Sequence, residues 1–187
     1  IEQPYRERAR LLESAWLLDW TFDELRAVMA KDASAWWAGS EMARLEQERG
    51  RYHVALRYAK RYVPSYFSQE LPDFSRGVWE LLFPRPWWDQ LKKQAAAANV
   101  DPYLVAGLIR QESEFDPKAK SRSNARGLMQ LLPSTARSMA RKVPDARARK
   151  YQLASLYVPD INLVYGTFYF KQVLDQFGGT VEYALAG

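Results

Sequence analysis

Glu112 is the acidic residue whose place in the sequence best suits acid–base chemistry. It follows Leu104 and Leu108 at intervals of four residues, so the three side chains share one face of a helix. This spacing predicts that the carboxyl group lies on an apolar stripe that faces the core. Burial disfavours the ionised form of a carboxylic acid and raises its pKa. An acid that holds its proton near neutral pH is what a general acid must be.

Glu114 does not share this position, because it lies two residues further on, about 200° round a helix of 3.6 residues per turn. We therefore predict that Glu112 is the working acid and that Glu114 is an outward-facing or capping residue. Spacing alone leaves a simpler interpretation open, in which Glu112 is an ordinary acid at the surface or at the end of its helix.

The helix that carries Glu112 has a recognisable start. Asp101 suits the N-cap, and Pro102 suits the first helical position, where its missing N–H costs nothing. A short polar connection follows the helix, and the stretch closes with Gly127-Leu128-Met129-Gln130-Leu131-Leu132-Pro133. Pro133 is expected to open the next helix.

The stretch from residue 110 to residue 133 resembles the signature of the lytic transglycosylases. The matching residues, in the family's order and spacing, are Arg110-Gln111-Glu112-Ser113, Phe115-Asp116-Pro117, Ser121, Gly127-Leu128-Met129-Gln130 and Pro133. More narrowly, they are similar to the soluble lytic murein transglycosylases, whose catalytic domain resembles goose lysozyme. The resemblance runs from Phe83 to the chain end. It implies cleavage of the β-1,4 bond between MurNAc and GlcNAc in peptidoglycan, with Glu112 as the one catalytic residue.

The same resemblance implies which residues bind the substrate. It places Ser113, Ser121 and Gln130 near the cleft, where Gln130 would hydrogen-bond sugar substituents, although Ser113 equally suits a helix-end cap. Met129 and Tyr169 are further candidates for substrate binding, although the side chain of Met129 equally suits the core.

One carboxylate suffices if the substrate supplies its own nucleophile. Most glycosidases use two carboxyl groups roughly 5–9 Å apart, whereas the signature region offers only Glu112 on the right face. The resemblance implies that Glu112 protonates the glycosidic oxygen and then deprotonates the C6 hydroxyl of the same muramyl ring, which attacks C1 and leaves a 1,6-anhydro-MurNAc end. Three other interpretations stay open: a goose-type lysozyme hydrolase that adds water, a catalytically silent glycan-binding or scaffold module, and a basic helical nucleic-acid binder.

Helical spacing dominates the chain, and we predict an all-α fold. Residues 1–82 read as helical hairpins and resemble the end of the α-helical superhelix that precedes the catalytic domain in the family. Pro84-Arg85-Pro86 marks the domain boundary, and Pro86 is expected in the first turn of the following helix. Residues 84–187 are then the lysozyme-like, mainly helical transglycosylase domain.

Two details of the pattern carry their own expectations. Thr21, with Glu24 three residues later, has the pattern of a capping box and is expected to start the second helix. Gly166, in a helix near the chain end, is expected to let helices pack closely.

The sequence departs from the family pattern in two places. Leu132 stands where the family commonly has Met, which conserves volume. The sequence then ends at Gly187, on the approach to the family's fourth block, Tyr-Asn-Ala-Gly, whose Tyr helps to orient the catalytic Glu. We therefore expect a catalytic domain that is truncated at its C-terminus and is weakly active or inactive as written.

Composition excludes several kinds of site. The 187 residues include no Cys and a single His, so disulfides and thiolate metal sites are excluded. We predict no metal and no cofactor, and a structural or surface role for His53. No apolar run reaches the roughly 18 residues of a membrane span, and the first four residues do not resemble a signal peptide. The family resemblance therefore implies a longer precursor with a signal peptide upstream, and a periplasmic or exported location.

Positive charge is concentrated between Asp116 and Lys150. Ten Lys and Arg against two Asp give this segment a charge of +8, where the whole chain carries +5. Such a segment attracts polyanions, and we expect peptidoglycan strands rather than nucleic acid as the partner of a monomeric protein. Arg147, Arg149 and Lys150 are expected to contribute to the attraction. A solvated helix face accounts for the charge equally well.

Overall fold

The computed structural model describes residues 2–32, 34–63, 66–145 and 147–186. These residues form the α-helices α1 (Glu2–Ser14), α2 (Leu18–Lys31), α3 (Trp36–Glu48), α4 (Tyr52–Tyr62), α5 (Arg76–Leu82), α6 (Trp88–Ala98), α7 (Pro102–Ser113), α8 (Pro133–Ala140), α9 (Pro159–Gln176) and α10 (Val181–Ala186). Short 3-10 helices span Tyr66–Ser68, Leu71–Asp73 and Leu153–Tyr157. Within the described residues, β pairing is limited to isolated bridges of Arg126 with Lys120 and with Leu131. The predicted all-α fold is confirmed.

The chain divides into two compact units, residues 1–84 and residues 85–187. In the first unit, α1 packs on α2, and α3 packs on α4. The turn between α3 and α4 contains Gly50 with a φ of +73°, a conformation that glycine adopts without strain. Apolar side chains of α2 and α3, such as Leu25 and Met42, form one buried cluster, and those of α4 and α5, such as Ala59 and Leu82, form another.

The predicted start of the second helix is wrong. The helix begins at Leu18, and Thr21 lies inside it with its hydroxyl donating to the carbonyl oxygen of Leu17 at 3.1 Å. Thr21, Phe22 and Leu25 are buried. Packing of this face accounts for the early start, because tertiary burial supplies most of the stability of a protein helix.

The expected place of Pro86 in a first helical turn is also wrong. The helix α6 begins at Trp88, after Trp87, whose φ of +52° is left-handed. A right-handed helix does not continue through a residue in this conformation, so Pro86 is separated from α6.

The helix α9 is central to the second unit, where it packs against α6, α8, α10 and the 3-10 helix Leu153–Tyr157. Its residues from Asn162 to Thr167 are all buried. The hydroxyl of Tyr165 donates to the carbonyl oxygen of Ala148, which fixes the segment after α8 to this core.

The helix α7 begins as the sequence predicts. The carboxylate of Asp101 accepts a hydrogen bond from the backbone N–H of Tyr103 at 2.8 Å, and Pro102 is the first helical residue. The helix ends at Ser113, because Glu114 and Phe115 have φ values of +51° and +64°.

Asn162 on α9 holds the loop of residues 126–131 with a fully buried carboxamide. Its Oδ1 accepts a hydrogen bond from the backbone N–H of Met129 at 2.8 Å. Its Nδ2 donates to the carbonyl oxygens of Arg126 at 3.1 Å and Leu156 at 2.8 Å. One side chain therefore bonds three backbone groups, and the carbonyl oxygen of Arg126 also accepts a hydrogen bond from the backbone N–H of Leu131 at 3.1 Å.

Two glycines permit the close approach of this loop to α9. Gly127 has a φ of +75°, and a Cβ there would lie 2.0 Å from the carbonyl oxygen of Leu156. At Gly166 a Cβ would lie 2.3 Å from Sδ of Met129. No side chain fits at either position without displacement of the loop.

Asn162→Ala is expected to lower the free energy of unfolding by about 2–4 kcal/mol, because it removes the hydrogen-bond partner of the Met129 N–H and of the Leu156 carbonyl oxygen in a buried place. Urea denaturation measures this loss. Gln176→Ala, at the exposed end of the same helix, is the matched control and should change stability by less than about 0.5 kcal/mol. Equal effects of the two substitutions would contradict the role given to Asn162.

Candidate active site

A cleft with a volume of about 270 Å³ opens in the second unit, bounded by α7, the loop of residues 126–131, α8, α9 and α10. Leu108 and Glu112 of α7 form part of its wall, Met129 and Gln130 come from the loop, and Tyr169 comes from α9. The volume lies close to the lower end of the range for small-molecule sites, roughly 300–1,000 Å³.

Glu112 lies in the wall of this cleft, and its predicted place on the core-facing stripe is wrong. The face of α7 that packs inward carries Val105 and Ile109, which are 0% and 1% exposed. Leu108 is only partly buried, and Glu112 is accessible to solvent. The two stripes are neighbours, about 100° apart on the helix. The stripe that ends at Glu112 therefore borders the cleft.

Desolvation raises the pKa of the Glu112 carboxyl above its ordinary value, although the side chain keeps contact with solvent. The wall around it is largely apolar and includes Leu108, Phe170 and Val173. Such surroundings disfavour the carboxylate form. Glu112 is the only carboxylic acid among the described residues that line the cleft.

Ser113 connects the end of α7 to the loop of residues 126–131. Its hydroxyl donates a hydrogen bond to the carbonyl oxygen of Leu128 at 2.7 Å. Leu128 is fully buried, and the backbone of the next residue, Met129, is bound by Asn162. These bonds fix the end of α7, and with it Glu112, relative to α9.

The hydroxyl groups of Ser113 and Ser121 are engaged within the protein. Ser121 accepts a hydrogen bond from the backbone N–H of Ala125 at 3.0 Å, which closes a turn before the loop of residues 126–131. In the described part of the chain, neither serine is among the residues that line the cleft.

Gln130 lines the cleft and also stabilises its own loop. Its Nε2 donates to the carbonyl oxygen of Gly127 at 2.9 Å, and the backbone of Gln130 has a φ of +43°. The carboxamide is thereby held in a fixed orientation beside Met129 and Glu112 in the lining.

Met129 and Tyr169 form apolar and aromatic parts of the lining. Met129 is 7% exposed and packs on Gly166, so it belongs to the core and to the cleft floor at once. Tyr169 is 39% exposed. The cleft thus brings together Glu112, Met129, Gln130 and Tyr169. The substrate-binding roles predicted for Met129, Gln130 and Tyr169, and for the two serines outside the lining, stay predictions.

Other residues of the lining were not found from the sequence. Thr135 from α8 and Ala184 and Leu185 from α10 border the cleft. Their residue types carry no chemical signal, and their place depends on how α8 and α10 pack on α9. Leu108, by contrast, was indicated by its interval of four residues from Glu112.

The described residues contain no group of three or more His, Asp or Glu arranged to hold a metal ion. None of the helices described is both long and apolar enough to cross a membrane. His53 lies on α4 in the first unit.

Comparison with known proteins gives consistent matches. Residues 89–187 match the family described as the transglycosylase SLT domain. The soluble lytic murein transglycosylase of Salmonella typhimurium is 31% identical over 162 residues, which cover 80% of this chain and 23% of that protein. The transglycosylase of Enterobacteria phage PRD1 is 34% identical over 92 residues, which cover 49% of this chain and 30% of that protein.

Solved structures share the fold. The 70 kDa soluble lytic transglycosylase SLT70 from Escherichia coli superposes with a TM-score of 0.64 at 23% identity, over 98% of this chain and 27% of that one. An inactive Glu-to-Gln mutant of the lytic transglycosylase Slt from Pseudomonas aeruginosa gives a TM-score of 0.60 at 25% identity, over 94% of this chain and 26% of that one.

The chain spans less than a third of the length of these relatives. The family match nevertheless covers more than half of the chain and includes the whole cleft from Leu108 to Leu185. The resemblance of residues 110–133 is confirmed, and the chain belongs to the SLT-domain transglycosylase family.

Proposed function

We propose that the protein cleaves the β-1,4 bond between MurNAc and GlcNAc in peptidoglycan and releases 1,6-anhydro-MurNAc ends. The observation that carries this proposal is the cleft in which one carboxylic acid, Glu112, has a raised pKa and lies among apolar neighbours. A protonated acid in such a place suits general acid catalysis at a glycosidic oxygen.

The names of the relatives support peptidoglycan as the substrate. They include soluble and membrane-bound lytic murein transglycosylases. The inactive form of the Pseudomonas aeruginosa enzyme carries a Glu-to-Gln change, which supports dependence of the reaction on a glutamate. A protein with this substrate would work in the periplasm or outside the cell.

The proposed reaction needs no group other than Glu112 for proton transfer. The Glu112 carboxyl gives its proton to the glycosidic oxygen as the bond from C1 of MurNAc breaks, and GlcNAc leaves with a free hydroxyl. The resulting carboxylate takes the proton of the C6 hydroxyl on the same muramyl ring as its oxygen bonds to C1. Glu112 ends in its original protonation state, and no water is consumed.

An internal nucleophile has a large advantage over water in this cleft. A hydroxyl on the reacting ring has a high effective concentration at C1. Most hydrolytic glycosidases use a second carboxylate to activate water, and Glu112 is the one carboxylic acid among the described residues of the lining.

The predicted substrate-binding residues form two groups, those that line the cleft and those that bond to the backbone outside it. We propose that Gln130, Met129 and Tyr169, which line the cleft, touch the sugar rings. Ser113 and Ser121 would act through the backbone groups to which they bond. Residues 1–82 would be the end of a helical superhelix, and residues 84–187 the transglycosylase domain of a monomeric protein.

Glu112→Gln is expected to lower kcat on peptidoglycan by about 10²–10⁴-fold, the contribution typical of a general acid and base. Release of soluble muropeptides measures turnover. Glu114→Gln is the matched control, because this residue caps the same helix outside the cleft lining, and it should keep most of the activity. Equal losses at the two positions would remove Glu112 from its proposed role.

Glu112 is expected to titrate above the ordinary value of about 4.3, since desolvation opposes its ionisation. Carboxyl ¹³C NMR of the chain measures the midpoint, with Glu112→Gln to identify the signal. Because the folded pKa is the higher one, ionisation costs stability as pH rises through the unfolded pKa, and the cost is complete above the folded pKa.

The same linkage gives an independent check by melting temperature. Glu112→Gln should melt slightly above the wild type at pH about 7 and together with it at pH about 3, where both carry a neutral side chain. A midpoint at or below the ordinary value, or equal melting at both pH values, would contradict desolvation at this site.

Digestion in ¹⁸O-labelled water is expected to leave the new muramyl ends unlabelled and lighter by one water than hydrolysed ends, because the C6 hydroxyl is the nucleophile. Mass spectrometry of the released muropeptides measures both the ¹⁸O content and the mass of the muramyl ends. Hen lysozyme, a hydrolase, is the positive control for incorporation of ¹⁸O. Labelled reducing ends as the main product would assign the protein to the goose-type lysozyme hydrolases. Binding to sacculi without any product would favour a silent glycan-binding module.

A further inference from the structure

Five exposed cations, here called the basic surface, lie at one end of α8 and on the segment that follows it. They are Arg137, Arg141, Lys142, Arg149 and Lys150. We propose that this basic surface binds the carboxylates of peptidoglycan stem peptides while a glycan strand occupies the cleft. The inference rests on the proposed function, because it names the part of the same substrate that lies outside the cleft.

Two of these cations are held by contacts with other residues of the segment. The guanidinium of Arg137 lies over the ring of Tyr151, 5.3 Å from its centroid, next to Lys150 in the chain. Nε of Arg149 lies 3.4 Å from the carbonyl oxygen of Val143, next to Lys142.

Buried residues fix the backbone that carries the basic surface. Met139, Val143 and Ala148 belong to one apolar cluster with Tyr165 of α9. The hydroxyl of Tyr165 also binds the carbonyl oxygen of Ala148. The cations therefore project from an ordered backbone rather than from a polar tail.

Acidic residues near the surface are already engaged. Asp145 pairs with Arg147 at 2.9 Å. The hydrogen bond from Arg147 lowers the pKa of Asp145 below its ordinary value, and the charges of Arg147 and Lys93 lower it further. Asp160 on α9 also faces Arg147. Because Arg147 is paired with Asp145 and lies in the field of Asp160, it is left out of the proposed surface.

The basic surface and the cleft share α8. Thr135, in the first turn, lines the cleft, whereas Arg141 caps the other end of the helix. Six residues of helix separate them by about 9 Å. An extended peptide covers about 3.3–3.6 Å per residue, so about three residues of a stem peptide reach from a strand in the cleft to these cations.

The composition of the surface favours dispersed carboxylates over other polyanions. Between Leu132 and Leu153, no large apolar side chain among the described residues is exposed. An interfacial membrane site needs such side chains for insertion, and a single-stranded nucleic acid site needs open aromatic rings for stacking. Tyr151 is half-buried and covered by Arg137.

Co-sedimentation with purified sacculi tests the proposal. The patch variant R141Q/K142Q/K150Q is compared with the control variant K118Q/K120Q/R122Q, which removes the same charge from exposed positions of the same unit. Every chain also carries E112Q to limit digestion. Each is bound to intact sacculi and to sacculi whose carboxyls are amidated, over a range of NaCl concentrations.

In about 20 mM NaCl, the patch variant is expected to bind intact sacculi about tenfold more weakly than its parent, and the control variant within about twofold. Amidation of the sacculi should weaken binding of the parent by a similar factor. The patch variant and the control variant should then bind the amidated sacculi equally. The amidation arm changes only the ligand, so it remains decisive even if a variant folds poorly.

Three results would overturn the proposal: equal losses in the patch and control variants, undiminished binding of the parent to amidated sacculi, or tighter binding to phosphatidylglycerol vesicles or duplex DNA at the same salt. Muropeptide release is measured in parallel with chains that keep Glu112. Absence of release by a chain extended through the family's fourth block would contradict the proposed function, while the binding comparison would still decide the role of the basic surface.

Discussion

The carboxamide of Asn162 is the contact on which the geometry of the cleft depends. It binds the backbone of Arg126 and Met129 on one loop and of Leu156 on another segment, in a place without access to water. A buried polar group of this kind is costly when unpaired and strongly directional when paired. The loop is therefore held in one position, and Gly127 and Gly166 leave it room to lie directly on α9. Ser113 then binds the same loop and carries that constraint to the end of α7.

This arrangement separates two electrostatic tasks within one small unit. Among the described residues that line the cleft, Glu112 is the one acid, and its largely apolar surroundings raise its pKa by desolvation. The cations lie at the far end of α8, where water surrounds them and where they leave the pKa of Glu112 to desolvation alone. A cation beside Glu112 would stabilise the carboxylate and lower that pKa. The proposed attraction of an acidic polymer at one end of α8 therefore does not require a cation beside Glu112.

The sequence predicted features that depend on neighbours along the chain. Asp101 and Pro102 start α7 as expected, because a cap and a first-turn proline act within a few residues. Glu112 was predicted to be the working acid from its type, its spacing and the family resemblance, and it lies in the cleft wall, but the face of α7 on which it lies was assigned wrongly. Periodicity cannot distinguish the stripe of Leu108 from that of Ile109, since both are apolar and only packing against other helices selects one.

Features that depend on residues distant in the sequence were not predicted, because packing and long-range hydrogen bonds decide them. Thr21 has the pattern of a cap, yet burial of Phe22 and Leu25 starts α2 earlier. The roles of Ser113 and Asn162 depend on partners 15 and 33 residues away along the chain. Neither bond has a local signal in residue type or spacing.

A crystal structure of the Glu112→Gln chain with a MurNAc–GlcNAc oligomer bound would test the central claim most directly. The account predicts that the oligomer occupies the cleft and that its scissile glycosidic oxygen lies about 2.6–3.2 Å from the carboxamide of residue 112, within reach of proton transfer. It also predicts that no other carboxylate of the chain lies beside C1. An oligomer bound elsewhere, or a scissile oxygen beyond the reach of residue 112 and close to another acid, would contradict it.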